Sequence, residues 1–210
     1  MSNIRNNYRY WPGVDMLEAF LIALLVAKIR KYRLAPLFKE WTAYLVILFA
    51  LVCMYMNFSI FQGDTFIFNY VNATKIIYGL IFAVLIIKYG LYKAGFLGAA
   101  SAFIGGMLNS AVIKANGGKM PVFPSVSYLT GFMTPDSFKF METYDDVHIQ
   151  GSASTKLSFL SDYIDLGYTI LSPGDVLFYS VVFIVVYSLI KHLNSGRPAK
   201  SAEEGKELQQ

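Results

Sequence analysis

The feature that most constrains the fold is a run of 21 residues, Trp41–Phe61, that contains no charged side chain. A helix needs about 20 apolar residues to cross the hydrocarbon core of a bilayer. Four further apolar runs of similar length occur in the chain, and only 15% of all residues are charged. A typical soluble domain has about 25% charged residues, so the sequence predicts a polytopic membrane protein.

The five runs predict an all-α membrane protein, a bundle of five transmembrane helices in one integral membrane domain, residues 1–193. The predicted spans are residues 14–30, 41–61, 72–89, 94–113 and 174–191. The polar stretch between the fourth and fifth spans, residues 114–175, is named the long interval; its residues 114–172 are predicted to form an extracytoplasmic cap. Residues 194–210 contain few apolar side chains and predict a disordered cytoplasmic tail.

Basic residues predict the orientation of the bundle, because Lys and Arg concentrate in cytoplasmic loops. They cluster after the first run, around the turn between the third and fourth runs, and after the fifth run, whereas residues 62–70 contain none: Lys28, Arg30, Lys31, Arg33, Lys39; Lys88, Lys93; Lys191, Arg197, Lys200. The N-terminus is therefore expected outside and the C-terminus inside. The net charge of +4 then reflects topology and lipid headgroups, and the chain has no basic stripe with interleaved aromatics that would predict a nucleic-acid partner.

The fourth run is rich in small residues three or four positions apart: Gly95, Gly98, Ala99, Ala102, Gly105, Gly106 and Ser110. Small residues at this spacing allow helix backbones to approach closely. We therefore expect the fourth helix in the middle of the bundle.

Both ends of the long interval contain helix-capping patterns. Asn116, Gly117 and Gly118 follow the fourth run, where glycine accepts the left-handed conformation that ends a helix. An alternative is that these glycine amides, with Lys119, bind an anion such as a lipid phosphate. At the other end, residues 172–175 (SPGD) predict an N-cap serine, a proline in the first helical position and an acid in the third.

Three polar residues of the long interval are candidates for catalysis: Asp162 and Asp175 as an acid–base pair, with His148 as a helper. Residues 155–168 predict an amphipathic helix on the membrane surface, and residues 136–144 a short helix. We expect no metal site and no cofactor. Cys53 is the single cysteine, which excludes an internal disulfide and a cysteine-based zinc site.

A buried polar cluster is also predicted at the outer helix ends. Lys75 lies in the first turn of its helix, where the helix dipole disfavours a cation. It should therefore extend to the interface or pair with Glu18 or Asp175, which lie at the same level of the bundle.

The order and spacing of several segments resemble one bacterial family, the domain of unknown function 5317 family. The segments are residues 29–34 (IRKYRL), 106–109 (GMLN), 116–122 (NGGKMPV), His148, residues 155–162 (TKLSFLSD) and residues 172–176 (SPGDV). The resemblance implies an integral protein of the bacterial cytoplasmic membrane, often in Gram-positive bacteria, and implies no reaction. It marks these positions for testing: Asn116, Gly117, Gly118, Met120, Pro121, His148, Asp162 and Asp175.

Three functions are consistent with these features. The first is a non-catalytic membrane protein, either an accessory subunit of another membrane protein or a binder of lipid or hydrophobic peptide at the outer leaflet. The second is a membrane-embedded hydrolase or transferase that uses Asp162 and Asp175 with His148. The third is a small transporter, against which no predicted span has a charged residue near its midpoint. Membrane lipids are the expected partners in each case.

Overall fold

The chain is mostly helical, as predicted, and the computed structural model describes residues 15–61, 70–136 and 147–195. Five long helices coincide with the five apolar runs: α1 (Asp15–Ile29), α2 (Trp41–Phe61), α3 (Val71–Tyr89), α4 (Tyr92–Ala115) and, after the long interval, α6 (Pro173–Ser195). A short helix, α5 (Val126–Thr130), lies within the long interval. The last helix is longer than predicted: Asn194 and Ser195, which were assigned to the disordered tail, belong to it. Residues 196–210 lie outside the described residues.

The last helix, α6, is the centre of the packing. It contacts α1, α3 and α4, and it buries a stripe of aliphatic side chains: Val181, Val182, Val185, Val186, Leu189 and Ile190. The expectation that α4 occupies the middle of the bundle is therefore wrong. Gly98 and Gly105 are buried, but Ala99, Gly106 and Ser110 are exposed. Phe96 and Phe103, on other faces, are 75% and 69% exposed.

The contact between α4 and α6 is close because small residues line it. A Cβ on Gly98 would lie 3.3 Å from Cγ1 of Val181. One turn further, the Ser101 hydroxyl lies 2.9 Å from the Leu177 carbonyl oxygen and 2.8 Å from the Ser180 hydroxyl. Part of the small-residue pattern, Gly98 and Gly105, thus lies in the close helix contact that such residues allow.

The ends of α1, α3 and α6 meet the start of α2 at one end of the bundle. The side-chain amide of Asn194 accepts from the Arg33 amide at 3.0 Å and donates to the Arg33 carbonyl at 3.1 Å. Glu40 accepts from the Tyr89 hydroxyl at 2.6 Å and from the Lys88 ammonium at 3.0 Å. These two donors, Tyr89 first, hold the pKa of Glu40 below its ordinary value.

At the opposite end, the long interval folds around two small sheets. Strands β1 (Met120–Val122) and β2 (His148–Gln150) are parallel, and β3 (Ile164–Asp165) and β4 (Ile170–Leu171) are antiparallel. Val122 of β1 and Ile170 of β4 form a small core with Phe132 and Met133. The interval therefore has its own hydrophobic cluster.

The amphipathic helix predicted over residues 155–168 is wrong. Leu157 adopts a left-handed conformation (φ 53°), a single 3₁₀ turn covers Ser158–Leu160, and Ser161 is extended. The backbone then pairs with other strands, since the Asp162 amide donates to the Pro121 carbonyl at 3.1 Å. These long-range pairings replace the local helical hydrogen bonds. The short helix predicted over residues 136–144 lies almost entirely outside the described residues.

Two described helices, α4 and α6, are long and apolar enough to cross a membrane by length and composition. Shorter apolar stretches occur in α2 and α3, over Trp41–Met56 and Ile76–Tyr89. These helices favour a membrane location for the chain.

Candidate functional site

The start of α6 is fixed by a reciprocal hydrogen-bond pair. The Ser172 hydroxyl accepts from the Asp175 amide at 2.9 Å, and the Asp175 carboxylate accepts from the Ser172 amide at 2.9 Å. This arrangement is a capping box, in which the cap residue and the third helical residue satisfy each other's amides. The predicted role of these residues as a helix cap is confirmed.

Asn109 of α4 completes this polar cluster, and sequence reasoning missed it. Its amide nitrogen donates to Asp175 Oδ1 at 2.8 Å, and its amide oxygen accepts from the Ser172 hydroxyl at 2.9 Å. The available signal was an amide side chain four residues after Gly105, on the small-residue face of an uncharged run. Asn109, Ser172 and Asp175 together fasten α4 to the first turn of α6.

His148 and Asp162 are brought together by the strands. His148 pairs in register with Met120 on one side of β1, and Asp162 forms a bridge with Val122 on the other. His148 Nε2 lies 3.6 Å from Asp162 Oδ2, and Asp162 is only 2% exposed. A half-buried histidine thus faces a buried carboxylate, whereas Asp175, the third candidate for catalysis, bonds to Asn109 and Ser172 instead.

The Asn116–Lys119 segment ends α4. Gly117 and Gly118 have φ of +69° and +90°, and the Gly118 amide donates to the Ile113 carbonyl at 2.9 Å, the six-residue bond of a Schellman motif. The Asn116 side chain donates to the Lys156 carbonyl and accepts from the Lys156 amide, both at 2.9 Å. The capping prediction is confirmed; anion binding by this segment stays a prediction, and Asn116 already has protein partners.

The predicted cluster of Glu18, Lys75 and Asp175 is only partly described. The Tyr168 hydroxyl donates to Glu18 Oε1 at 2.9 Å, which ties α1 to the long interval. The side chain of Lys75 lies outside the described residues, so its pairing stays a prediction. The hydrogen bonds of Asp175 to Asn109 and Ser172 place that carboxylate in the contact between α4 and α6.

Asp165 of β3 joins the turn between β3 and β4 to the start of α5, and sequence reasoning did not single it out. Its carboxylate accepts from the amides of Ser125, Ser127 and Gly167 at 2.6, 2.8 and 2.8 Å, and from the Ser127 hydroxyl at 2.5 Å. Burial raises the pKa of Asp165, but these four hydrogen bonds outweigh that effect and leave the pKa below its ordinary value.

The surface of the long interval carries large apolar side chains. Leu129 of α5 is 87% exposed, and Phe159 in the 3₁₀ turn is 65% exposed. Tyr163, Leu166 and Tyr168 are also exposed. We name these five residues the apolar surface.

The described carboxylates of the long interval accept hydrogen bonds from backbone amides and hydroxyls. Within residues 15–61, 70–136 and 147–195, no group of three or more His, Cys, Asp or Glu side chains could hold a metal ion. The described carboxylates Asp165 and Asp175 each accept several hydrogen bonds from nearby amides and hydroxyls. Their chemistry is that of anchors for loops and helix ends.

Comparison with protein families gives a match. The model of the family of unknown function DUF5317 matches residues 34–187, which include the Asn116–Lys119 segment, His148, Asp162 and Asp175. The search of curated proteins returns no match, and neither does the search of solved structures.

Proposed function

The chain belongs to the family of unknown function DUF5317, and we propose that it is a non-catalytic multi-pass membrane protein of the bacterial cytoplasmic membrane. In this proposal all five long helices span the bilayer and the long interval forms an extracytoplasmic cap. The apolar surface of the cap then binds a lipid or a hydrophobic peptide at the outer leaflet, or a membrane protein to which this chain is an accessory subunit.

The distribution of charge supports this topology. The end of the bundle at which Arg33 meets Asn194 and Glu40 meets Lys88 is strongly basic. The long interval at the other end has seven acidic residues against four lysines: Asp136, Glu142, Asp145, Asp146, Asp162, Asp165, Asp175; Lys114, Lys119, Lys139, Lys156. Lys and Arg determine orientation, so the basic end is assigned to the cytoplasm.

The observation that carries the binding proposal is the exposure of Leu129 and Phe159 on an interval that has its own core. Exposed apolar patches rimmed by polar groups are typical of surfaces that contact membranes or partner proteins. In contrast, the candidate catalytic Asp175 is engaged in holding α4 to α6. The geometry therefore favours binding over catalysis.

The topology is tested with single cysteines in a Cys53→Ser background. Ser154, in the long interval, and Lys39, before α2, are both exposed. A membrane-impermeant maleimide applied to intact cells should label Ser154→Cys and leave Lys39→Cys unlabelled until the cells are opened. The reverse pattern would overturn the orientation, and labelling of both would overturn the five spans.

The binding role is tested by purifying the full chain from native membranes and identifying co-purifying proteins and lipids by mass spectrometry. A partner present in stoichiometric amount should be lost in the double variant Leu129→Ser/Phe159→Ser. Lys156→Ser, which changes an exposed polar side chain of the same interval, is the matched control. Recovery of the same partners with all three proteins would contradict the proposal.

An enzyme remains the second candidate, because His148 lies 3.6 Å from the buried Asp162. This pair differs from the predicted arrangement, since Asp175 lies in the contact with Asn109. Purified protein is incubated with a total membrane lipid extract, and products are followed by mass spectrometry. A product formed by the wild type and absent with His148→Ala would favour a hydrolase or transferase over the non-catalytic proposal.

A further inference from the structure

The exposed face of the first two turns of α4 has a shallow, open depression, which we name the groove. Tyr92, Lys93, Phe96 and Leu97 line it, and its volume is about 460 Å³. Tyr92, Phe96 and Leu97 are 65%, 75% and 59% exposed, so the groove is apolar and reachable from the side of the bundle. Lys93 places an ammonium group at the level of the first turn, while Phe96 and Leu97 lie one turn further along the helix.

The surroundings of the groove are strongly cationic. At this end of the bundle, within residues 28–44, 86–97 and 187–195, exposed basic side chains are numerous: Lys28, Arg30, Lys31, Arg33, Lys39, Lys88, Lys93 and Lys191. Glu40 is the single carboxylate in those same ranges, and it is already bonded to Lys88 and Tyr89. Among the residues that the structure describes, no salt bridge involves Lys93.

We propose that this groove binds one anionic phospholipid, with the phosphate on Lys93 and an acyl chain along Phe96 and Leu97. One helical turn advances about 5.4 Å, which separates a headgroup contact from the acyl contacts below it. Tyr92 suits the level of the headgroups, where aromatic side chains concentrate. The excess of positive charge favours a lipid with net negative charge over a zwitterionic lipid of the same acyl chains.

The site rests on the proposed function for the membrane location of α4 and for the leaflet: if the basic end is cytoplasmic, the lipid comes from the inner leaflet. The choice of lipid class depends on the groove and its charge alone. The labelling experiment at Ser154 and the lipid-binding experiment at Lys93 can therefore fail independently of each other. An inverted topology would move the site to the outer leaflet and leave its selectivity unchanged.

The test measures lipid retention by native mass spectrometry on the full chain in detergent. Phosphatidylglycerol and phosphatidylcholine with identical acyl chains are supplied at equal concentration, and phosphatidylglycerol should be retained in preference. Lys93→Gln should reduce that preference about fivefold, the effect of one basic residue near an anionic lipid surface. Lys114→Gln, at the other end of the same helix and also exposed, should leave the preference unchanged.

A second pair of variants tests the acyl contact. Phe96→Ala should weaken retention of both lipids, whereas Phe103→Ala, which removes an equally exposed phenylalanine outside the groove, should not. Equal retention of the two lipids, or equal behaviour of Lys93→Gln and Lys114→Gln, would overturn the proposal. Competition by free glycerol phosphate as strong as that by the lipid would assign the site to a soluble phosphate and also overturn it.

Discussion

Gly105 of α4 and Gly174 of α6 face each other where the two helices cross, and neither position has room for a Cβ. A Cβ on Gly105 would overlap the Gly174 carbonyl oxygen, and a Cβ on Gly174 would overlap the Asn109 side-chain oxygen and lie 2.7 Å from the Gly105 carbonyl oxygen. Backbone atoms cannot move away as a flexible side chain can. The two glycines therefore set how closely α4 and α6 approach each other.

Alanine at either glycine should force the two helices apart. Overpacking of this kind costs about 1–3 kcal/mol, and we expect Gly105→Ala and Gly174→Ala to lower the melting temperature in detergent by several degrees. Gly106→Ala is the control, because a Cβ there meets nothing within 4 Å. Equal melting temperatures for Gly105→Ala and Gly106→Ala would contradict the close crossing.

The hydrogen bond from Asn109 to Asp175 should appear as a coupling energy. Asn109→Ala and Asp175→Ala should each destabilise the fold, and the double variant should lose less than the sum by about 1.5–3 kcal/mol, as expected for a hydrogen bond to a charged group. The comparison cycle pairs Asn109→Ala with Asp165→Ala, whose hydrogen bonds are made with Ser125, Ser127 and Gly167. The effects of Asn109→Ala and Asp165→Ala should be additive. A coupling energy of equal size in the two cycles would contradict a specific hydrogen bond between Asn109 and Asp175.

What was predictable from the sequence is what depends on local chemistry. The apolar run Trp41–Phe61 is a helix because an uncharged segment of that length bonds its backbone internally. The Ser172–Asp175 capping box was also predictable, because its two partners are only three residues apart in the sequence. The Gly117–Gly118 helix end likewise follows from the left-handed conformation that glycine permits.

What was not predictable depends on partners far along the chain. Asn109 and Asp175 are 66 residues apart, and no local pattern joins them. The amphipathic pattern after Thr155 predicted a helix, yet Asp162 and Tyr163 bond instead to Pro121 and Leu171 of other strands. The small residues of α4 predicted that one of its faces packs closely, but not how many helices α4 contacts.

Asn116 should act as a structural clamp between α4 and the long interval. Asn116→Ala removes two hydrogen bonds to the Lys156 backbone and one to the Val112 carbonyl. Asn116→Asp loses both bonds from the amide nitrogen, so both variants should cost about 1–3 kcal/mol in unfolding free energy. Unchanged stability of Asn116→Ala would contradict the clamp.

Lys119→Gln, in the same segment, tests the anion-binding alternative: it should reduce phosphate binding if that site exists.

The hydrogen bonds to Asp165 should make the stability of the long interval depend on pH. Because they hold its folded pKa below the unfolded value of about 3.9, the carboxylate contributes stability that is fully present at neutral pH. That contribution should be lost as the pH falls below about 4 and through the folded pKa.

Asp165→Asn should therefore be less stable than the wild type at pH 7, with the difference shrinking at pH 3. A deficit of Asp165→Asn that stays constant from pH 7 to pH 3 in thermal unfolding would show that the charge of Asp165 contributes nothing.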